Sequence, residues 1–145
     1  MQKPSRSYQE SQFVYRLAAC LAASHEAFEG FCSSLDRGVS YESQAVPAEE
    51  LSSWHNFVEE KVFPLNMVTA KLIDEHRHLW EELPPELADF MEYHTSWLAR
   101  HTAWKADPMQ PYTFRVDRSS PLSANTWVLQ QLRDLLRSVA GSPQR

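Results

Sequence analysis

The chain reads as an all-α four-helix bundle with a kinked second helix and a longer connection before the last helix. Three observations predict it. Apolar residues recur at alternating steps of three and four in four separate stretches, the mark of one buried helical face. Glycine is scarce, three residues in 145. Pro47, Pro84, Pro85, Pro108, Pro111 and Pro121 stand at the borders of those stretches, where helices stop and start. A chain of 145 residues fits one domain and can bury a core without disulfides or a structural metal. The domain is expected over residues 7–141, between a flexible tail at 1–6 and another at 142–145.

Helix 1 is predicted from Ser7 to Asp36, with Phe13, Val14, Leu17, Leu21, Phe28, Phe31 and Leu35 on its apolar face and Gly38 as its stop. A polar linker follows from Val39 to Val46. Pro47 opens helix 2, with Glu49 and Glu50 in a first turn that favours carboxylates. Trp54, Phe57, Val58, Val62, Leu65, Val68, Leu72 and Leu79 continue its stripe. Pro64 interrupts that helix, because proline removes a backbone donor and clashes with the preceding turn. The stripe stays in phase across it, so a kink is expected rather than a break. Leu83-Pro84-Pro85-Glu86 ends that segment and starts helix 3, which runs to about Lys105. Residues 108–119 read as an irregular connection, with Tyr112, Phe114 and Val116 at alternating positions. Ser120-Pro121 opens helix 4, whose seam is Leu122, Leu129, Leu132, Leu136 and Val139, and Gly141 stops it.

The formal charge is −5, which argues against general nucleic-acid binding. It is unevenly spread: Glu42 to Glu92 holds twelve acidic residues against three basic ones, whereas Thr113 onward holds five arginines against two aspartates. No apolar run reaches the length of a membrane span, so direct membrane insertion is not expected. Cys20 and Cys32 lie too far apart on one helix to bridge each other; buried free thiols fit a reducing, cytoplasmic setting.

Histidine is the unusual feature. His94 and His101 fall in line with Leu87, Phe90, Trp97 and Trp104, and His25 falls on the seam of helix 1. A buried imidazole needs a hydrogen-bond partner, a charge partner or a metal, since an unpaired buried polar group costs about 1–3 kcal/mol. One account is structural: His94, His101 and Asn66 serve carbonyls freed by Pro64, and buried polar pairs fix helix register. A second is a pocket lined by Asn66, His78, His94, Trp97, His101 and Trp104, suited to a planar or anionic molecule such as a nucleotide. A third is a metal site, because ligands on one helix face stand three or four residues apart. His55 with Glu59 and Asp74 with His78 have that spacing, and His25, His94 or His101 could complete a sphere. His94 and His101, seven residues and about 10.5 Å apart along a helix, cannot share one ion.

The segment His55-Asn-Phe-Val-Glu59-Glu60, then Phe63-Pro64-Leu65, then Glu75-His76-Arg-His78-Leu79 resembles the hemerythrin-type (HHE) cation-binding proteins. The resemblance implies iron and maps His25, His55, Glu59 and His101 onto that family's helix-borne ligands. The chain departs from the pattern where the family's third-helix His pair becomes Asp74 and His78, and where the family's final acid is Ala106. Trp54, Val58, Phe63-Pro64-Leu65-Asn66, Ile73, His78-Leu79, Leu83-Pro84, Phe90, His94, Trp104 and Asp107, with the Leu-rich last helix, also resemble a family of small bacterial helical proteins of uncharacterised activity. That resemblance spans Trp54 to Val139 and implies a bacterial origin and a shared bundle, with defence or signalling as the expected setting.

No Gly-rich phosphate loop, no Gly-x-Ser-x-Gly elbow and no Cys-x-x-Cys pair is present, so catalysis is not expected. The expected function is that of a non-catalytic regulatory or protein-interaction bundle without cofactor, binding a protein partner or a second copy of itself. Trp80, Trp127, Arg133 and Arg137 are its candidate partner surface. The alternatives are a hemerythrin-like iron sensor, with His25, His55, Glu59, His78 and His101 as candidate ligands, and a nucleotide-binding effector.

Overall fold

The computed structural model describes residues 5–34, 51–107, 109 and 122–140. Among them the architecture is all-α, with four helices and no strand, as the apolar periodicity predicts. Helix α1 spans Arg6–Ser34. Helix α2 has three consecutive pieces: an α-helical start Leu51–Phe57, a π-helical turn Val58–Val62 and an α-helical remainder Phe63–Glu75. A 3₁₀ turn follows at Arg77–Leu79. Helix α3 spans Pro85–Ala106 and α4 spans Leu122–Ala140. The expected tails at 1–4 and 142–145, the linker Val39–Val46, the start at Pro47 and, Met109 apart, the connection at 108–119 lie outside the described residues.

Local chemistry sets the observed ends. Ser5 Oγ accepts from the Tyr8 N–H at 3.2 Å, so the first helix is capped and begins at Arg6 rather than after a loose stretch. The carbonyl of Pro84 accepts from the N–H groups of Leu87 and Ala88, each at 3.0 Å, while Pro85 sits where no donor is needed. The second helix ends four residues before Leu79, earlier than its apolar stripe suggests. At His76 the backbone leaves the helix (φ −113°, ψ 10°), and the ring Nδ1–H donates to the Leu72 carbonyl at 2.8 Å. The side chain thus satisfies a carbonyl at the helix C-terminus. Leu79 still reaches the core, from the 3₁₀ turn.

The kink expected at Pro64 takes a specific form. Proline cannot donate to the carbonyl one turn back. Immediately before it the helix widens by one residue, and the Phe63 N–H bonds the Val58 carbonyl in an i→i+5 pattern. The wider turn also explains the phase of the stripe. Four residues advance about 40° beyond a full α-turn, so three such steps from Trp54 to Asn66 would rotate about 120° off the core. The π turn absorbs much of that rotation, and Trp54, Val58, Val62 and Asn66 are all buried.

Among the described residues the core has two apolar clusters. One holds Phe28, Trp54, Phe57, Val58, Val62 and Trp97. The other is centred on Phe13, Leu17, Leu21, Ile73, Leu87 and Phe90, and α4 adds Ala124 and Val128 to it. The late residues of α1 thus meet the early residues of α2, and the early residues of α2 meet the late ones of α3. Both neighbouring pairs are antiparallel.

Trp54 is fully buried and packs against Phe31, Phe57 and Trp97. Trp54→Ala is expected to lower stability by about 3–5 kcal/mol. Val68→Ala, on the exposed side of the same helix, changes it by less than about 0.5 kcal/mol. Urea denaturation of the two variants checks the contrast.

Candidate metal centre

The two antiparallel helices α2 and α3 each bring a pair of polar residues, one helical turn apart, to the same place. On α2 these are His55 and Glu59; on α3 they are His101 and Lys105. His55 Nε2 lies 3.2 Å from Glu59 Oε2. His101 Nε2 lies 3.3 Å from Glu59 Oε1, and Lys105 Nζ donates to that same oxygen at 2.7 Å. One ligand atom each from His55, Glu59 and His101 falls within 4.8 Å of the others. Glu59 stands in the π turn, a helical irregularity often associated with functional sites.

Aromatic rings wall the cluster. The His55 and His101 rings lie 4.9 Å apart between centroids. Trp104 packs at 5.3 Å from His55 and 5.8 Å from His101, and Phe63 meets His101 edge-on at 5.2 Å. His101 is almost fully enclosed, its side chain 4% exposed, whereas those of His55 and Glu59 are 24% and 35% exposed. The site is therefore closed at His101 and open at Glu59 and Lys105.

The electrostatics follow from this geometry. The Lys105 ammonium, helped by His101 and His55, holds the Glu59 carboxyl down at about 2 against the opposing effect of burial. Burial pushes His101 below its ordinary 6.5, against the pull of Glu59. Near neutral pH the cluster thus presents an ionised carboxylate and an uncharged imidazole, the protonation states that bind metal.

The other candidates fall elsewhere. His25 pairs with Glu29 at 3.0 Å on an exposed face of α1. His78 is exposed beyond the other end of α2 and bonds Gln9 Oε1 at 3.0 Å. Of the five candidate ligands, the structure brings three together and leaves these two apart. Trp97 is 2% exposed, packed on Trp54, Phe63 and Tyr93, with no face left for a ligand to stack on. Trp80 and Trp127 are half-buried, packed against Phe13 and each other beside the second apolar cluster. Arg133 and Arg137 are exposed on α4. Lys105 is the member of the cluster that sequence reasoning missed; its signal was a His101-xxx-Lys105 pair on α3 matching His55-xxx-Glu59 on α2.

Asn66 and His94 belong to a different feature. Like Ser24 and Thr69, they are buried polar residues that fall, along their helices, between members of the two apolar clusters. The Thr69 hydroxyl donates to the Leu65 carbonyl at 3.1 Å. Ser24 Oγ, both polar atoms of the Asn66 side chain and His94 Nδ1 are buried without a partner among the described residues. The carbonyls near Pro64 are therefore not served by Asn66 or by His94 Nδ1, because the π turn already rearranges that backbone. His94 also lines a groove of about 490 Å³ with Met67, Ala70, Lys71, Asp74 and Glu75.

No family model, curated protein or solved structure matches the chain.

Burial lowers the His94 pKa below 6.5. The unfolded chain then takes up this proton at higher pH than the native state does. The stability linked to His94 is complete above 6.5 and declines as pH falls through the lower native value. Urea unfolding across about pH 7 to 5 is expected to show a shallower loss for His94→Gln than for the unaltered chain; parallel curves would contradict this.

Proposed function

We propose that the chain is a metal-binding helical bundle that holds one divalent first-row ion between α2 and α3 through His55, Glu59 and His101. The carrying observation is the convergence of two imidazoles and a carboxylate, from two helices, within 4.8 Å. Each imidazole already lies close to the carboxylate, His55 Nε2 at 3.2 Å from Oε2 and His101 Nε2 at 3.3 Å from Oε1. Two histidines and one carboxylate with further positions open to solvent suit zinc or ferrous iron. The partial exposure of Glu59 leaves room for water or a small exogenous ligand on the ion. His25 and His78 stand outside the cluster, so the reading is of one ion, held by three protein ligands. When bound, the ion would supply Lewis acidity at its open positions. The protein's own part is to hold the three donors, to shelter His101 behind Phe63 and Trp104, and to keep the carboxylate ionised.

The test is a titration of metal-free protein with Zn²⁺ and Co²⁺, followed by calorimetry and the visible Co²⁺ spectrum. One ion per chain is expected, with binding lost in Glu59→Gln and weakened at least roughly tenfold in His55→Ala. Thermal stability should rise with metal in the unaltered chain but not in Glu59→Gln, since ligand binding to the native state alone stabilises it. Binding that survives both substitutions would sink the proposal.

A second reading, self-association through α4, rests on a separate observation. Leu129 and Leu136, seven residues apart, are 54% and 69% exposed, with Leu132 partly buried between them. That spacing makes a narrow apolar stripe of the kind that pairs helices. A dimer across this stripe is expected in sedimentation analysis, with Leu136→Asp shifting it to monomer; a monomer at high concentration would dismiss it.

A further inference from the structure

The position a metal would take beside Glu59 already has a cation next to it. Lys105 Nζ is 2.7 Å from Glu59 Oε1, the same oxygen that His101 Nε2 approaches at 3.3 Å. An ion bound to that oxygen at about 2.1 Å would stand no more than about 4.8 Å from the ammonium if Lys105 stayed in place. Two cations that close on one carboxylate oxygen repel strongly, the more so beside the nearly buried His101. The lysine has somewhere to go: its side chain is 51% exposed, on the last turn of α3. A four-carbon stem can swing its charge into water at little cost.

Resting on the metal reading above, we infer that Lys105 is the resident cation of this site, a tethered competitor that an incoming divalent ion must displace from Glu59. Loading is then an exchange. One ammonium leaves the carboxylate, one metal ion takes its place, and the lysine becomes a free surface amine beside Trp104. Three consequences follow. The carboxylate stays charge-compensated without metal, so His55, Glu59 and His101 hold their arrangement in the unloaded protein. The affinity is set below what the three ligands alone would give. Every divalent ion loses affinity by the same factor, so those that bind such a donor set weakly are the first to fall below occupancy.

Lys105 is not itself a proposed ligand, so changing it removes the competing charge while leaving all three donors in place. Lys105→Met keeps the stem and removes the charge; Lys105→Arg keeps the charge. The probe is Co²⁺, read by its visible absorption and by quenching of tryptophan fluorescence, with Trp104 beside both imidazoles. Circular dichroism confirms that each variant retains its helices. The expected result is a Co²⁺ affinity roughly tenfold or more tighter in Lys105→Met than in the unaltered chain, with Lys105→Arg within about threefold of it. Binding by Lys105→Met alone would also support the inference, with the lysine then excluding the ion outright. If the unaltered chain binds Co²⁺ and Lys105→Met binds it equally or more weakly, the inference is overturned and the metal reading stands. If neither binds, the metal reading itself fails and the inference falls with it.

Discussion

The missing N–H of Pro64 is the constraint on which the rest of the second helix depends. A regular α-helix there would leave the carbonyl of Glu60 without its donor and press the proline ring against it. The chain relieves both by widening one turn, Val58–Val62, with the Phe63 N–H reaching back to Val58. That single change has two effects. It rephases the helix, so that residues spaced by four from Trp54 to Asn66 stay on the core side. It also places Glu59 inside the irregular turn, facing the third helix across from His101. Pro64 itself is exposed and is not a member of the ligand cluster. It reaches Glu59 through the backbone of the widened turn.

The Glu59 cluster shows why ionisable groups survive in a half-buried place. A lone carboxylate there would be penalised by lost hydration. Glu59 instead meets three nitrogen donors, of which Lys105 has the largest effect on its ionisation. His101 is enclosed more than any other member, and burial dominates its behaviour, so it stays uncharged although a carboxylate lies beside it. Glu59 thus brings a negative charge and Lys105 a positive one, with the positive one on the flexible, exposed arm. A network whose cation is both essential to its balance and free to leave is suited to exchanging one cation for another.

Much of this was legible in the sequence. The four helices, the restart at Pro84-Pro85 and the burial of Leu87, Phe90, His94, Trp97 and His101 all follow from spacing, because periodicity reports which face of a helix is apolar. The pairing of His55 with Glu59 is equally local, one turn of one helix. What periodicity does not carry is the level at which two helices meet. Whether His101 faces Glu59, whether His25 joins them, and that Lys105 enters at all depend on axial register between α2 and α3, which is fixed by packing. The π turn was hidden for a related reason: the in-phase stripe and the proline were both visible, but a kink and a widened turn leave the same trace in sequence. His76 was overlooked because its role is a ring-to-carbonyl bond at a helix end, which has no periodic signature.

The two histidines of the α3 seam make the same point in physical terms. His94 and His101 are separated by two helical turns and are both enclosed, yet they serve different ends. At the level of His101 the facing helix offers a carboxylate, and the imidazole becomes part of a charged cluster open on one side. At the level of His94 the bundle offers Ser24, Asn66 and Thr69, neutral groups that fall, along their helices, between members of the two apolar clusters. There the ring has no ion-pair partner among the described residues, and burial lowers its pKa. A seam position thus decides that an imidazole is enclosed; the neighbouring helix, at that height, decides what the enclosed imidazole can do.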